Sequence, residues 1–229
     1  MKIGKILTLF AFCLLATTAS ADIELKATYT DKQGVEVVAT EDFNAEAPLY
    51  VQFTSNPSNL DPAAAIEWHI TNTSADINVT RYEENTSYTF TAAGKNTITL
   101  NVVLDGEIIE TKSMNITISD SHLEIPNAFS PNGDGINDYL QAKTNTKSIV
   151  EFHAYIFNRH GQKLYDWTDW QNEKSGWDGT HNGHPVKDGV YFVYVKARGA
   201  DGMEYNIRRD VNLLRKKNTL TGETGGSYE

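Results

Sequence analysis

The densest set of side-chain oxygens in the chain lies in Asn132-Gly133-Asp134-Gly135-Ile136-Asn137-Asp138. Asn132, Asp134, Asn137 and Asp138 offer amide and carboxylate oxygens at close spacing, the ligand type that calcium accepts in flexible geometry. Ile136 adds a backbone carbonyl to the alternation. No Glu stands at the distance an EF-hand requires, and the same residues suit a turn held by Asx bonds. Gly133 and Gly135 take positive φ without a Cβ clash in either case. The turn is the preferred reading, and calcium stays open as the one cofactor. His181 and His184 flank a Gly turn beside Asp178, which suggests zinc, but no third ligand has an obvious spacing. A surface loop is expected there. Trp167, Trp170 and Trp177 crowd one short span. Trp177 is expected in the core, while exposure of Trp167 and Trp170 as a carbohydrate platform is the minor alternative. No Ser/His/Asp order, paired catalytic carboxylates or phosphate loop appears, so no catalytic residue is assigned and no enzyme is expected.

What carries these residues begins with an export leader. Met1–Ala21 has basic Lys2 and Lys5, an apolar run from Ile6 to Ala16, and Ala19-Ser20-Ala21 as a cleavage site. The run is shorter than the roughly 20 residues of a membrane-spanning helix, and no span is expected in the mature chain. Cys13, the single cysteine, lies inside the leader behind the bulky Phe12, so lipid anchoring is not expected. A mature chain from Asp22 would contain no thiol, which excludes disulfides and Cys-ligated zinc and leaves stability to apolar cores. The formal charge is −10, and loss of the two leader lysines makes the remainder more acidic. Nucleic acid and anionic lipid are therefore poor partners.

Residues 22–120 alternate apolar and polar in short runs. Ile23–Tyr29, Val35–Thr40, Leu49–Thr54, Ile66–Thr71, Tyr88–Thr91, Thr97–Leu104 and Glu107–Ile118 are the expected strands. Asp105-Gly106 has the signature of a tight hairpin. So many short strands in about 100 residues point to an immunoglobulin-like sandwich around Trp68. The run from Tyr88 to Leu100 resembles the late-strand signature of PKD domains, although Thr71-Asn72-Thr73-Ser74 replaces the usual Gly-Asp-Gly turn after the Trp.

Ser119-Asp120-Ser121-His122 reads as a polar hinge before a second β-domain over residues 122–214. Ile149–Asn158 and Val190–Arg198 are its strongest strands, apolar and aromatic on both faces, as central strands of a sandwich are. Lys163-Leu164-Tyr165 begins a return strand, and Met203–Leu214 is the last. The fold class is all-β, two tandem immunoglobulin-like sandwiches, with residues 215–229 as a flexible polar tail.

Four motifs in this second domain carry a closer resemblance. The first is Ile125-Pro126-Asn127-Ala128-Phe129-Ser130-Pro131-Asn132-Gly133-Asp134-Gly135-Ile136-Asn137-Asp138. The second is Ile156-Phe157-Asn158-Arg159-His160-Gly161-Gln162, with His160 where Trp is usual. Trp177-Asp178-Gly179-Thr180 and Asp188-Gly189-Val190-Tyr191-Phe192 follow in order. Together they resemble the gliding motility-associated C-terminal domain, the type B signal domain of type IX secretion substrates in Bacteroidetes. The chain departs from that family by continuing past its final strand to Glu229.

The resemblance implies an exported chain that passes the periplasm, engages type IX components, and reaches the outer membrane, cell surface or medium. Adhesion or gliding-related cargo is the leading expectation, with a surface polysaccharide as one candidate partner. The alternative is an accessory of the secretion system that binds an envelope sensor or translocon subunit. A chain with one bland sandwich besides the sorting domain motivates that alternative.

Overall fold

A computed structural model describes residues 22–215, apart from Glu173. The expected leader and nearly all of the expected tail lie outside the described residues. The N-terminal half contains β1 (Lys26–Thr30), β2 (Glu36–Ala39), β3 (Phe43–Ala45), β4 (Leu49–Thr54), β5 (Ala65–Asn72), β6 (Ile77–Arg81), β7 (Thr86–Phe90), β8 (Gly94–Leu104) and β9 (Glu107–Ile118). They form two sheets, ordered β2-β1-β4-β7 and β3-β9-β8-β5-β6. Alternation decides which face is buried: Leu49, Val51 and Phe53 of β4 meet Ile98, Leu100 and Val102 of β8 in one core. Trp68 is fully buried there, 5.9 Å from the Phe53 ring, and its Nε1 donates to the Glu83 carbonyl at 3.0 Å. Two strands, β3 and β6, escaped the sequence reading. Three residues in β3 give no period to detect, and it is held by parallel pairing with the distant β9. β6 is fixed by pairing with β5 after a 3-10 turn.

The C-terminal half contains β10 (Ala128–Phe129), β11 (Ile149–Phe157), β12 (Lys163–Trp167), β13 (Thr180–His181), β14 (His184–Pro185), β15 (Gly189–Gly199) and β16 (Glu204–Leu213). One sheet runs β10-β16-β15-β11-β12, and β13 and β14 form a separate hairpin. Its core packs Ala154 and Ile156 of β11 and Val193 and Val195 of β15 beneath Leu123, Ile125, Leu140 and Trp177. These last four lie outside the strands, so irregular segments make much of the covering layer. β15 is central, as its composition suggests. Its other face, however, stays open, with Val190 50% and Phe192 43% exposed. Apolar residues on both faces of a strand indicate burial only where a second layer covers each face.

The segment read as a hinge is tied on both flanks. Ser119 N–H donates to the Ala45 carbonyl at 3.0 Å, and its hydroxyl lies 2.9 Å from that of Ser148. Ser148 has no exposed surface, and its Oγ also accepts the Ala47 N–H at 3.2 Å. Ala93 N–H donates to the Ala200 carbonyl at 2.9 Å, while Val150 and Ala200 pack against the N-terminal core. The Ala93 turn is itself held from inside the N-terminal sandwich. Buried Asn72 donates to the Ala93 carbonyl and to Asn96 Oδ1, each at 3.1 Å. Ser121 bonds Asp201 through its N–H at 3.0 Å and its hydroxyl at 2.7 Å. A polar linker thus becomes part of a docked junction, because its donors and acceptors find partners on both domains.

Ser148→Ala leaves the buried Ala47 N–H without this acceptor. The expected cost is about 1–3 kcal/mol, measured by urea unfolding of the purified chain. A loss below about 0.5 kcal/mol would mean that water or a shifted backbone replaces the hydroxyl.

Candidate functional site

The Asn/Asp/Gly loop is closed by its own backbone. Asp138 Oδ1 accepts the N–H groups of Asn132 and Gly133 at 2.9 and 2.8 Å, and Oδ2 accepts that of Gly135 at 2.8 Å. Asn132 Oδ1 accepts the Asp134 N–H, and Asp134 Oδ1 accepts the Ile136 N–H, both at 2.9 Å. Gly133 and Gly135 have φ of 79° and 84°, and Asn137 takes φ 54°. This is the Asx-bonded turn expected from the residue types. The Gly133, Gly135 and Asn132 N–H groups hold the Asp138 carboxyl below its ordinary value, against partial loss of hydration.

Three of the four motifs meet in one cluster. Phe129, Trp177 and Tyr191 pack together, with Trp177 5.3 Å from the Phe129 ring and 4.9 Å, edge to face, from Tyr191. Trp177 is fully buried, and its Nε1 donates to the Thr180 carbonyl at 2.7 Å. Its backbone exchanges hydrogen bonds of 2.8 and 3.0 Å with Leu140, which ties the segment just after the first motif to the third. Asp178 Oδ1 accepts both the N–H and the hydroxyl of Thr180, which shapes the turn. Tyr191 donates its hydroxyl to the Lys187 carbonyl at 2.6 Å.

Gly179 stands at the crossing point. Its φ is +77°, and a Cβ built there would lie 2.6 Å from Arg215 Nη2, 2.9 Å from Leu213 Cδ1 and 3.0 Å from Pro131 Cγ. Glycine is required on both counts. Arg215 Nη2 donates to the Gly179 carbonyl at 2.6 Å, its Nη1 to the Val186 carbonyl, and it pairs with Asp188 at 3.2 Å. Arg215 therefore belongs to the folded domain and not to the tail in which the sequence placed it. It escaped the reading because one Arg before Lys216-Lys217 looks like any solvated cation.

The remaining motif lies at the same end of the sheet. Asn158 Oδ1 accepts the His160 and Gln162 N–H groups at 2.9 and 3.1 Å, and Gly161 takes φ 78°. Phe157 is opposite Phe192, Gly189 is opposite Leu213, and Leu213 is opposite Phe129. All four motifs thus gather at the end remote from the junction. β15 spans the 11 residues between the two ends, about 33 Å at ~3.3 Å per step.

Residues 123–207 match the CHU_C type IX secretion signal domain. That segment is a type IX secretion signal domain. The match stops inside β16, short of Leu213 and Arg215. A type IX signal implies export towards the cell surface or the medium, through interaction with the type IX machinery. No curated protein matches the chain. Similar solved structures include a tetra-tandem repeat in the extending region of a large adhesion protein, at 12% identity and TM-score 0.30, covering 85% of this chain and 67% of that one. Another is SGBP-B of the Bacteroides ovatus mixed-linkage glucan utilization locus in complex with a mixed-linkage heptasaccharide, at 12% identity and TM-score 0.28. It covers 77% of this chain and 43% of that one. Dimeric latent PorU from Porphyromonas gingivalis matches at 11% identity and TM-score 0.24, covering 86% of this chain and 20% of that one.

The signal domain rearranges two other candidates. Trp167 is only 5% exposed and packs 6.0 Å from Phe152, while half-buried Trp170 donates Nε1 to the Ile149 carbonyl at 3.2 Å. The alternative of an exposed pair is thus excluded, since both are part of the core and its rim, and β12 turns Trp167 inward opposite Ala154. His181 Nδ1 lies 2.9 Å from the Leu164 carbonyl. Among the described residues no three His, Cys, Asp or Glu side chains gather to hold a metal. No helix among them is long and apolar enough to cross a membrane.

Two outcomes follow for the signal domain. A folded carboxyl value below the unfolded one stabilises the Asp138 loop above about pH 4, and this contribution fades as pH falls through the folded value. The amide resonances of Gly133 and Gly135 are expected to titrate together below about pH 4, and to lie at the unbonded position at neutral pH in Asp138→Ala, which removes both acceptor oxygens. Unchanged amide shifts in that variant would mean that the carboxylate does not hold the loop. Gly179→Ala is expected to destabilise the chain by more than about 1 kcal/mol in urea unfolding. A smaller loss would mean that Arg215 and Pro131 yield freely.

Proposed function

We propose that this chain is a non-enzymatic cargo of type IX secretion, delivered to or retained at the outer membrane or cell surface for adhesion or gliding. The observation that carries the reading is the type IX signal domain over residues 123–207. Its motif end lies at the far end of the sheet from the N-terminal sandwich, which favours an unobstructed approach for the secretion machinery. The expected Met1–Ala21 leader would supply the earlier step into the periplasm. An acidic surface suits an exported chain and disfavours nucleic acid.

The docked junction supports a second reading. A passenger locked to its signal domain at Ser148 is less like freight than like one working unit, as an accessory that binds an envelope sensor or translocon subunit would be. Fractionation of cells producing the intact chain or a deletion of residues 122–215 separates the readings. Cargo is expected at the surface or in the medium when intact, and in the periplasm after the deletion. Surface delivery of the truncated chain would sink the cargo reading. An intact chain held in the periplasm would favour the accessory role.

A further inference from the structure

The open face of the signal-domain sheet lies outside the buried motif cluster, although Phe157 and Phe192 of two motifs stand on it. Its outward side chains fall into rows across β11, β15 and β16: Phe157, Phe192 and Asp210, then Tyr155, Tyr194 and Arg208, then His153, Lys196 and Asn206. Tyr155 stacks between His153 at 4.1 Å and Phe157 at 6.4 Å, and lies 6.0 Å from Tyr194. The Arg208 guanidinium and the Lys196 ammonium lie over the Tyr194 ring at 4.9 and 5.7 Å. A shallow depression of about 540 Å³ between Phe157, Phe192 and Arg208 opens beside them.

The charges are distributed unevenly. Arg198 pairs with Glu151, and Lys163 with Asp166. Among the described residues, neither Lys196 nor Arg208 has a carboxylate at salt-bridge distance, although the chain carries a net charge of −10. Cations held on an aromatic ring and left unanswered by an acidic protein are complementary to an anionic partner.

We propose that this face docks an extended, acidic segment of a partner protein, with an apolar side chain against Phe157 and Phe192 and a carboxylate on Arg208 and Lys196. Spacing supports a polypeptide. Phe192 and Tyr194 are successive outward residues of one strand, about 6.8 Å apart, the separation of alternate side chains in an extended segment laid alongside. A second copy of the chain placed on the same patch would bring Lys196 and Arg208 against their own counterparts, which like charge disfavours. A neutral glycan would leave both cations unanswered, and a polyphosphate or an anionic headgroup layer presents no apolar side chain to Phe157 and Phe192 beside its charge.

This assignment stands apart from the export reading, since it is tested on the purified chain in solution. The probe is a synthetic hexapeptide alternating phenylalanine and aspartate, with a lysine-for-aspartate peptide and cellohexaose as controls. The acidic peptide alone is expected to shift the ring resonances of Tyr155, Phe157, Phe192 and Tyr194. Lys196→Glu with Arg208→Glu should weaken it about tenfold or more, while Lys196→Arg retains it. Unchanged core resonances in each variant show that the fold persists. The assignment is overturned by equal shifts with the lysine peptide, by shifts with cellohexaose, by concentration-dependent self-association through these rings, or by no shift at millimolar peptide.

Discussion

The contact between Arg215 and Gly179 is what the motif end of the signal domain depends on. A guanidinium at the end of the last strand reaches the carbonyls of Gly179 and Val186, and Pro131 and Leu213 close on the same point. This convergence is possible only where residue 179 has no Cβ and takes positive φ. Around it Phe129, Trp177 and Tyr191 bury their rings against one another, so segments far apart in the chain share one aromatic core. Residues that look like separate loop signatures are one packed structure. Their Asx and Asn turns keep polar backbone groups satisfied where the strands end.

The sheet then separates two tasks along its length. One end carries the motifs, and the other is held to the N-terminal sandwich through buried Ser148 and the Ala93–Ala200 hydrogen bond. β11 and β15 run the whole distance between them, with no break in β15. The motif end and the junction are therefore joined by continuous strands of one sheet. The glycine at 199 reflects this close approach, since a Cβ there would lie 2.0 Å from the Ser121 hydroxyl.

Between the two ends, the outer face keeps aromatic rings and cations in register. Stacking of His153, Tyr155 and Phe157 along β11 orders the rings without burying them. Burial of such surface away from water is favourable on contact, which is the driving force the proposed docking would draw on.

Much of this was legible in the sequence. The all-β class, most strands, the Asx-bonded loop and the four motifs all follow from local information: alternation, turn residues and glycine positions. Trp68 and Trp177 fall in cores as their surroundings suggest. Short strands such as β3 were not legible, because three residues carry no period and only a distant partner defines them. The role of Arg215, the burial of Trp167, the tying of the linker by Ser148, and the open face of β15 were decided by tertiary structure alone. A residue type states what a side chain can bond or bury. Which partner it meets, and whether a second layer covers a given face, depends on chain segments up to a hundred residues away.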